Sequence, residues 1–196
     1  MKGKAKVLAA SLCFCLVAAA CRAGPPADVG DALAGMTPRQ LELVWADGLG
    51  WPAYLASLGE EAEVWRQAYE VVALGEDLES RAMVLAGMHR VLALVPAECV
   101  GCPGWLAPLA VLADTVPGVQ LRLMGPERAG AVADLRPEAY PAAAGEAVPV
   151  LVVLDDGFRS LGWWSPGPED RGLAPARAAD RVLDRVVSLM ERRPRD

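Results

Sequence analysis

The sequence contains no asparagine and no isoleucine, and it contains no lysine after Lys6. These three residue types have A/T-rich codons, so their absence is typical of a G/C-rich genome, and we attach no structural meaning to an arginine at any single position. The formal net charge is −6 and no basic face is visible. Because a protein that binds the nucleic-acid backbone needs such a face, the composition argues against a nucleic-acid partner.

Histidine is nearly absent as well, since His89 is the only one. A zinc site needs four ligands, whereas His89 together with Cys99 and Cys102 offers only three. One histidine in this place also supports no Ser-His-Asp triad, and no loop matches the phosphate-binding pattern G-x-x-x-x-G-K. We therefore predict no metal and no cofactor, and we expect His89 to end a helix and stabilise its dipole.

The length and hydropathy are those of a folded protein. The chain has 196 residues, of which 54% are hydrophobic and 22% charged. Domains typically contain ~100–200 residues, so one domain with additional segments is expected. A mean hydropathy of +0.26 excludes an intrinsically disordered chain.

The N-terminus has the features of an export signal. Residues 1–6 carry three lysines, residues 7–20 carry no charge, and three alanines precede Cys21. The uncharged stretch is shorter than the ~20 residues of a transmembrane helix, so residues 1–20 are predicted to be a signal peptide. Alanines before a cysteine resemble the signal of bacterial lipoproteins, whose cysteine is lipidated. We expect an exported protein on the periplasmic side of the cell envelope, anchored to a membrane through a lipid on Cys21. The alternative is ordinary cleavage that leaves this cysteine unmodified.

Three further segments follow the signal. Residues 21–37 are rich in glycine, proline and alanine and are predicted to form a flexible tether. Residues 38–89 are predicted to be a helical N-terminal extension, and residues 90–192 a separate domain. In the extension, one helix is predicted from Trp51 onward, and a second, shorter helix is expected over Glu76–Met88. The first helix is predicted from apolar residues spaced three and four apart: Trp51, Leu55, Leu58, Ala62, Trp65, Tyr69 and Val72.

The pattern of the domain predicts α/β architecture with a mixed sheet. Apolar runs predict four strands, and Asp155-Asp156-Gly157 predicts a hairpin between the last two. A helix is expected over 104–115, and Ala179 to Leu189 mark a final helix. The predicted strands are Arg90–Val95, Val119–Met124, Val148–Leu154 and Phe158–Trp164.

The cysteines divide between the signal and the domain. Cys13 and Cys15 leave with the signal peptide, so Cys99 and Cys102 are the only two thiols of the folded part. Their spacing is C-x-x-C, and in an oxidising compartment we expect them to pair with each other.

This order of elements, with C-x-x-C between the first strand and its helix, resembles the thioredoxin superfamily over Arg90 to Met190. The chain is similar to bacterial thioredoxin-like proteins that carry a helical N-terminal extension. The resemblance implies a thioredoxin-like mixed sheet flanked by helices. The residues that carry it are Trp65–Tyr69, Cys99-Val100-Gly101-Cys102, Val148–Asp155 and Leu161–Pro166.

The resemblance also implies a chemistry. A cysteine at a helix N-terminus has its thiolate stabilised by free N–H groups and the helix dipole. Cys99 would then be the nucleophile and Cys102 the resolving thiol. Pro149 matches the family's cis-proline, which would direct the backbone of Val148 to a substrate, and Trp164 is a candidate substrate contact. These roles predict a thiol–disulfide oxidoreductase acting on envelope proteins or small-molecule thiols.

Three departures from the family pattern leave a second interpretation of the function open. Glu98 stands where the family usually has tryptophan, and a carboxylate facing the sulfur would oppose thiolate formation. The first strand offers no acidic residue for proton transfer. Pro108 lies six residues after the second cysteine, where five is typical. The alternative is a catalytically degenerate binding module in which the disulfide is structural.

Overall fold

A computed structural model of the protein describes residues 31, 33, 35–85, 87–97, 99–129, 148–170 and 172–192. Short 3₁₀ turns occur at Gly59–Glu61 and Pro168–Asp170. The α-helices are α1 (Pro38–Asp47), α2 (Trp51–Ser57), α3 (Ala62–Glu70), α4 (Glu76–Met83), α5 (Cys102–Thr115), α6 (Pro126–Ala129) and α7 (Pro175–Met190). The strands are β1 (His89–Leu94), β2 (Val119–Met124), β3 (Val150–Leu154) and β4 (Ser160–Trp164).

The four strands form one mixed sheet in the order β2-β1-β3-β4. Strands β1 and β2 are parallel, whereas β3 is antiparallel to both β1 and β4. Helices cover both faces, which explains why β3 is apolar throughout and β1 is apolar from Val91 onward. One face packs on α5 and α7 and the other on α1. The predicted α/β fold with a mixed sheet flanked by helices is confirmed.

Two strands start later than their apolar runs predict. Strand β3 begins at Val150, after Pro149, which has no N–H to donate to a ladder. Strand β4 begins at Ser160 because Phe158 has a φ of 60° and belongs to the hairpin turn. Asp155 closes that turn, since its N–H donates to the Arg159 carbonyl at 3.0 Å.

The long helix predicted from Trp51 onward is wrong, because the chain contains a break. Gly59 has a φ of +59°, a left-handed conformation that a right-handed helix cannot contain. The α-helix therefore ends at Ser57, and a 3₁₀ turn over Gly59–Glu61 separates it from α3, which starts at Ala62. The aromatic side chains nevertheless pack together, with ring centroids 5.8 Å apart for Trp51 and Trp65 and 5.3 Å for Tyr54 and Trp65.

The end of the predicted tether is packed against the domain. Leu33 is fully buried in a cluster with Leu41 and Leu92. Asp31 accepts a hydrogen bond from Trp163 Nε1 at 3.0 Å. These contacts place Asp31 and Leu33 on the sheet face that α1 also covers.

His89 does not end a helix, so its predicted role at a helix dipole is wrong. Helix α4 ends at Met83, and His89 is the first residue of β1. Its side chain is 7% exposed and its Nδ1 has no hydrogen-bond partner among the described residues. Burial lowers the pKa of His89, and the Met190 backbone and nearby carboxylates oppose this only in part. A cavity of about 440 Å³ lies beside it, at the end of the sheet opposite the cysteines.

The buried imidazole makes stability depend on pH in a defined direction. Because the pKa of His89 is lowered in the folded state, the unfolded chain binds more protons as the pH falls through the ordinary histidine value of about 6.5. The stabilisation by neutral His89 is therefore complete above this pH and is lost progressively below it. We expect the free energy of unfolding to fall more between pH 7 and 5 for the wild type than for His89→Gln. Urea titrations at each pH measure this, and parallel profiles would contradict it.

Candidate active site

Cys99 and Cys102 form a disulfide in the turn between β1 and α5. Their sulfur atoms are 2.04 Å apart and their Cα atoms 5.3 Å apart. Cys102 is the first residue of α5, and its N–H donates to the Cys99 carbonyl at 3.2 Å. The predicted pairing is therefore confirmed.

The two cysteines differ in exposure. Cys102 is fully buried, whereas Cys99 is half-buried at the edge of the same apolar cluster. Val100, between them, is 93% exposed. A substrate can therefore approach the pair only from the side of Cys99.

The start of α5 creates a positive electrostatic environment for the outer cysteine. Gly101 occupies the N-cap and has no side chain to cap the helix. The Cys102 and Gly104 N–H groups donate to the Cys99 and Gly101 carbonyls at 3.2 and 3.1 Å, so the expected free N–H groups are taken up within the turn and the helix dipole remains. Pro103 follows, a position where the missing N–H of proline is not needed. No acidic residue lies in this first turn. The positive end of the dipole is thus available to stabilise a thiolate on Cys99.

Pro108 lies inside α5, and the helix continues past it to Thr115. Its ring is buried, so the proline belongs to the core side of the helix. The shifted proline noted in the sequence therefore leaves α5 in place.

Two tryptophans join the end of β4 to the first turn of α5. The rings of Trp105 and Trp164 meet edge to face, with centroids 5.7 Å apart and an interplanar angle of 60°. Trp105 is 8% exposed, and Trp164 is half-buried. Part of the Trp164 ring therefore remains accessible near the cysteines, as its predicted contact role requires. The sequence reasoning missed Trp105, although its position three residues after Cys102 on a helix places it one turn away.

The expected cis-proline is wrong for this structure. Among the residues that the structure describes no peptide bond is cis, so the Val148–Pro149 bond is trans. X–Pro bonds prefer trans by about 0.5–1 kcal/mol, and the extended backbone enters β3 directly after Pro149. The family's cis-proline argument therefore gives no support here to substrate pairing by Val148.

Pro149 and Val148 nevertheless lie at the same end of the sheet as the cysteines. Leu94, the last residue of β1, is opposite Val150, the first residue of β3. The segment before β3 and the loop after β1 therefore lie side by side. The Ser165 hydroxyl, just after β4, donates to the Pro149 carbonyl at 2.8 Å, a contact that the sequence reasoning also missed.

Three of the segments that meet at this end carry no charged side chain, although Glu98 directly precedes Cys99 in the sequence. Residues 99–113, 148–154 and 160–168 contain no Asp, Glu, Lys, Arg or His. Within the described part of the chain, no three His, Cys, Asp or Glu side chains are grouped so as to hold a metal ion. Cys21 and Glu98 lie outside the described residues. The chemistry available in the described site is therefore that of the two sulfur atoms.

Comparisons with known proteins agree with this fold. Two solved structures resemble it, each covering 76% of this chain. An HIV epitope-scaffold has 23% sequence identity and a TM-score of 0.60, with 96% of its own chain covered. A protein of unknown function from Pseudomonas aeruginosa has 22% identity and a TM-score of 0.61, with 95% covered. No curated protein matches.

A family model described as thioredoxin matches residues 48–171. The matched range includes α2, α3 and α4, so it does not confirm these helices as an extension separate from the family domain. Both the C-x-x-C pair and the four-stranded sheet lie within it. The chain belongs to the thioredoxin family.

Proposed function

We propose that this protein is a thiol–disulfide oxidoreductase of the cell envelope that acts through Cys99 and Cys102. Its substrates are disulfides or thiols of envelope proteins or small molecules. The observation that carries the proposal is the disulfide itself, which joins a half-exposed and a fully buried cysteine at the start of α5. A purely structural disulfide needs neither this difference in exposure between its two cysteines nor a position at the start of a helix.

The exchange proceeds in two balanced steps. In the reduced protein, the Cys99 thiolate attacks one sulfur of a substrate disulfide, and the other substrate sulfur leaves as a thiolate that takes up a proton. Cys102 then loses its proton and attacks the Cys99 sulfur, which releases the second substrate thiol. The substrate gains two electrons and two protons, and the Cys99–Cys102 disulfide is formed. The reverse sequence oxidises a substrate dithiol.

Burial assigns the order of the two thiols. Cys102 is fully buried, so an external disulfide cannot reach its sulfur until Cys99 has brought the substrate into a mixed disulfide. The Cα atoms are 5.3 Å apart in the oxidised pair, within the range that a disulfide spans without backbone movement. Because only two residues separate the cysteines, the pair can open and close without refolding of the domain.

The cellular location in this proposal comes from the N-terminal sequence. The basic residues 1–6, the uncharged residues 7–20 and the following Cys21 support export and a lipid anchor. Among the described residues, no helix has the length and apolar character needed to cross a membrane. An envelope location would also supply the oxidising conditions in which a disulfide persists.

Differential alkylation tests the proposal. After mild reduction, we expect iodoacetamide to modify Cys99 at least about tenfold faster than Cys102, because only Cys99 is accessible and because it lies at the positive end of the α5 dipole. Peptide mapping by mass spectrometry measures the two rates in the native protein. In denaturant, the rates should become equal. Equal rates in the native protein, or a pair that mild reduction leaves closed, would contradict the proposal.

The trans bond before Pro149 favours a second candidate function. In that case the fold presents a binding surface and the disulfide is only structural. Such a protein should resist mild reduction, and Cys99→Ser should leave binding of its partner intact. Alkylation therefore separates the two candidates.

A further inference from the structure

The β3–β4 ladder ends where two prolines oppose each other. Leu151 pairs with Trp164 at the last recorded position of the ladder. Continuing this antiparallel register places Val150 opposite Ser165 and Pro149 opposite Pro166. Neither proline has an N–H group, so Pro166 cannot supply the backbone hydrogen bond that a longer ladder would give to the Pro149 carbonyl.

A side chain supplies this missing donor. The Ser165 hydroxyl donates to the Pro149 carbonyl at 2.8 Å. Pro149 and Pro166 are both buried, where a carbonyl without a partner is costly. The bond therefore connects the residue that leaves β4 to the segment that enters β3.

We propose that Ser165 is a positioning residue for disulfide exchange. Its hydroxyl holds the Val148–Pro149 segment at the rim of the cysteine site, where the half-exposed Val148 side chain contacts the polypeptide part of a disulfide substrate. This side-chain contact differs from the backbone pairing that a cis-proline would have directed and that the trans bond does not support. The inference rests on the proposed function. It is supported by Trp164, next to Ser165, whose ring contacts Trp105 one turn after Cys102, and by the half-exposed Val148 at the same end of the sheet.

Two disulfide substrates distinguish a role of Ser165 in positioning the Val148–Pro149 segment from a role in the exchange reaction itself. The probes are an uncharged apolar peptide with one disulfide and 2-hydroxyethyl disulfide, which has no polypeptide part for the Val148–Pro149 segment to contact. For Ser165→Ala we expect kcat/KM for the peptide to fall about five- to tenfold through a higher KM. The rate with 2-hydroxyethyl disulfide and the redox potential of Cys99–Cys102 should stay unchanged. Ser165→Thr, which keeps the hydroxyl, should stay within about twofold of the wild type for both probes.

Ser160→Ala is the matched control. Ser160 begins the same strand, and its Oγ is buried without a hydrogen-bond partner among the described residues, so its loss should leave both rates unchanged. A second variant tests whether a backbone N–H at position 166 can replace the Ser165 hydroxyl as the donor to the Pro149 carbonyl. Adding Pro166→Ala to Ser165→Ala returns a backbone N–H opposite Pro149, and we expect it to restore the peptide rate.

Four results would overturn the inference. The first is an unchanged peptide rate in Ser165→Ala, and the second is an equal loss with both disulfides, which indicates general damage to the site. The third is a double variant that stays as slow as Ser165→Ala. If the wild-type protein reacts with neither disulfide, the proposed function is itself wrong and the positioning role is wrong with it.

Discussion

Replacing Cys99 with serine should abolish disulfide exchange, with a loss of about a thousandfold or more in rate. A serine hydroxyl stays protonated at neutral pH and forms no disulfide, and Cys102 cannot substitute because it is fully buried. The measurement is the rate of reduction of 2-hydroxyethyl disulfide by the reduced protein, coupled to thiol detection. The control is the free energy of unfolding of the variant, which should equal that of the reduced wild type if the fold persists.

Cys102→Ser is the informative partner variant. It keeps the nucleophile Cys99 and removes the resolving thiol, so the first step should proceed and the second should stop. We expect a mixed disulfide between Cys99 and the substrate to accumulate, visible as an added mass in the intact protein. Full activity in Cys99→Ser, or no mixed disulfide in Cys102→Ser, would contradict the assigned order of the two thiols.

Gly118→Ala should destabilise the protein by about 2–4 kcal/mol. Gly118 has a φ of +93°, and a Cβ at this position would lie 2.9 Å from the Gly87 carbonyl oxygen. The obstacle is a backbone atom, which cannot rotate away as a side chain would. The Gly118 carbonyl also accepts from the His89 N–H at 2.7 Å, so movement at this turn would disturb the start of β1. Urea unfolding at neutral pH measures the loss.

Gly104→Ala provides the contrast. This glycine lies in the first turns of α5, and a Cβ there would have no heavy atom within 4 Å. Because alanine is the better helix former by about 1 kcal/mol, we expect unchanged or slightly higher stability. Equal losses in Gly104→Ala and Gly118→Ala would show that backbone conformation and close approach at Gly118 are not the cause.

The sheet could be predicted because its signals are local. The run in β3 contains only valine and leucine and forms a fully buried strand. The run Val119–Met124 alternates apolar residues with Gln120 and Arg122, and it forms a strand whose apolar side chains are buried. The break at Gly59 could not be predicted in this way. The apolar spacing of three and four continues across the 3₁₀ turn, so the pattern alone does not distinguish one long helix from two short ones.

The cysteine pair could be predicted because only two thiols remain in the domain. The rest of the site depends on tertiary structure. The isomer of the Val148–Pro149 bond is set by how the chain enters β3, and the family pattern predicted it wrongly. The Ser165 bond to Pro149 depends on the register between β3 and β4, which no short pattern in the sequence reveals. The lipid anchor on Cys21 and the effect of Glu98 stay predictions.

The redox potential of the Cys99–Cys102 pair tests thiol–disulfide exchange by this protein most directly. It is measured by equilibrating the protein in glutathione or dithiothreitol buffers of defined ratio and trapping the thiols. We predict a value between about −120 and −270 mV, the range of known exchange catalysts, and its place in that range indicates the direction of electron flow. A pair that stays oxidised below about −300 mV, as structural disulfides do, would contradict the proposed function.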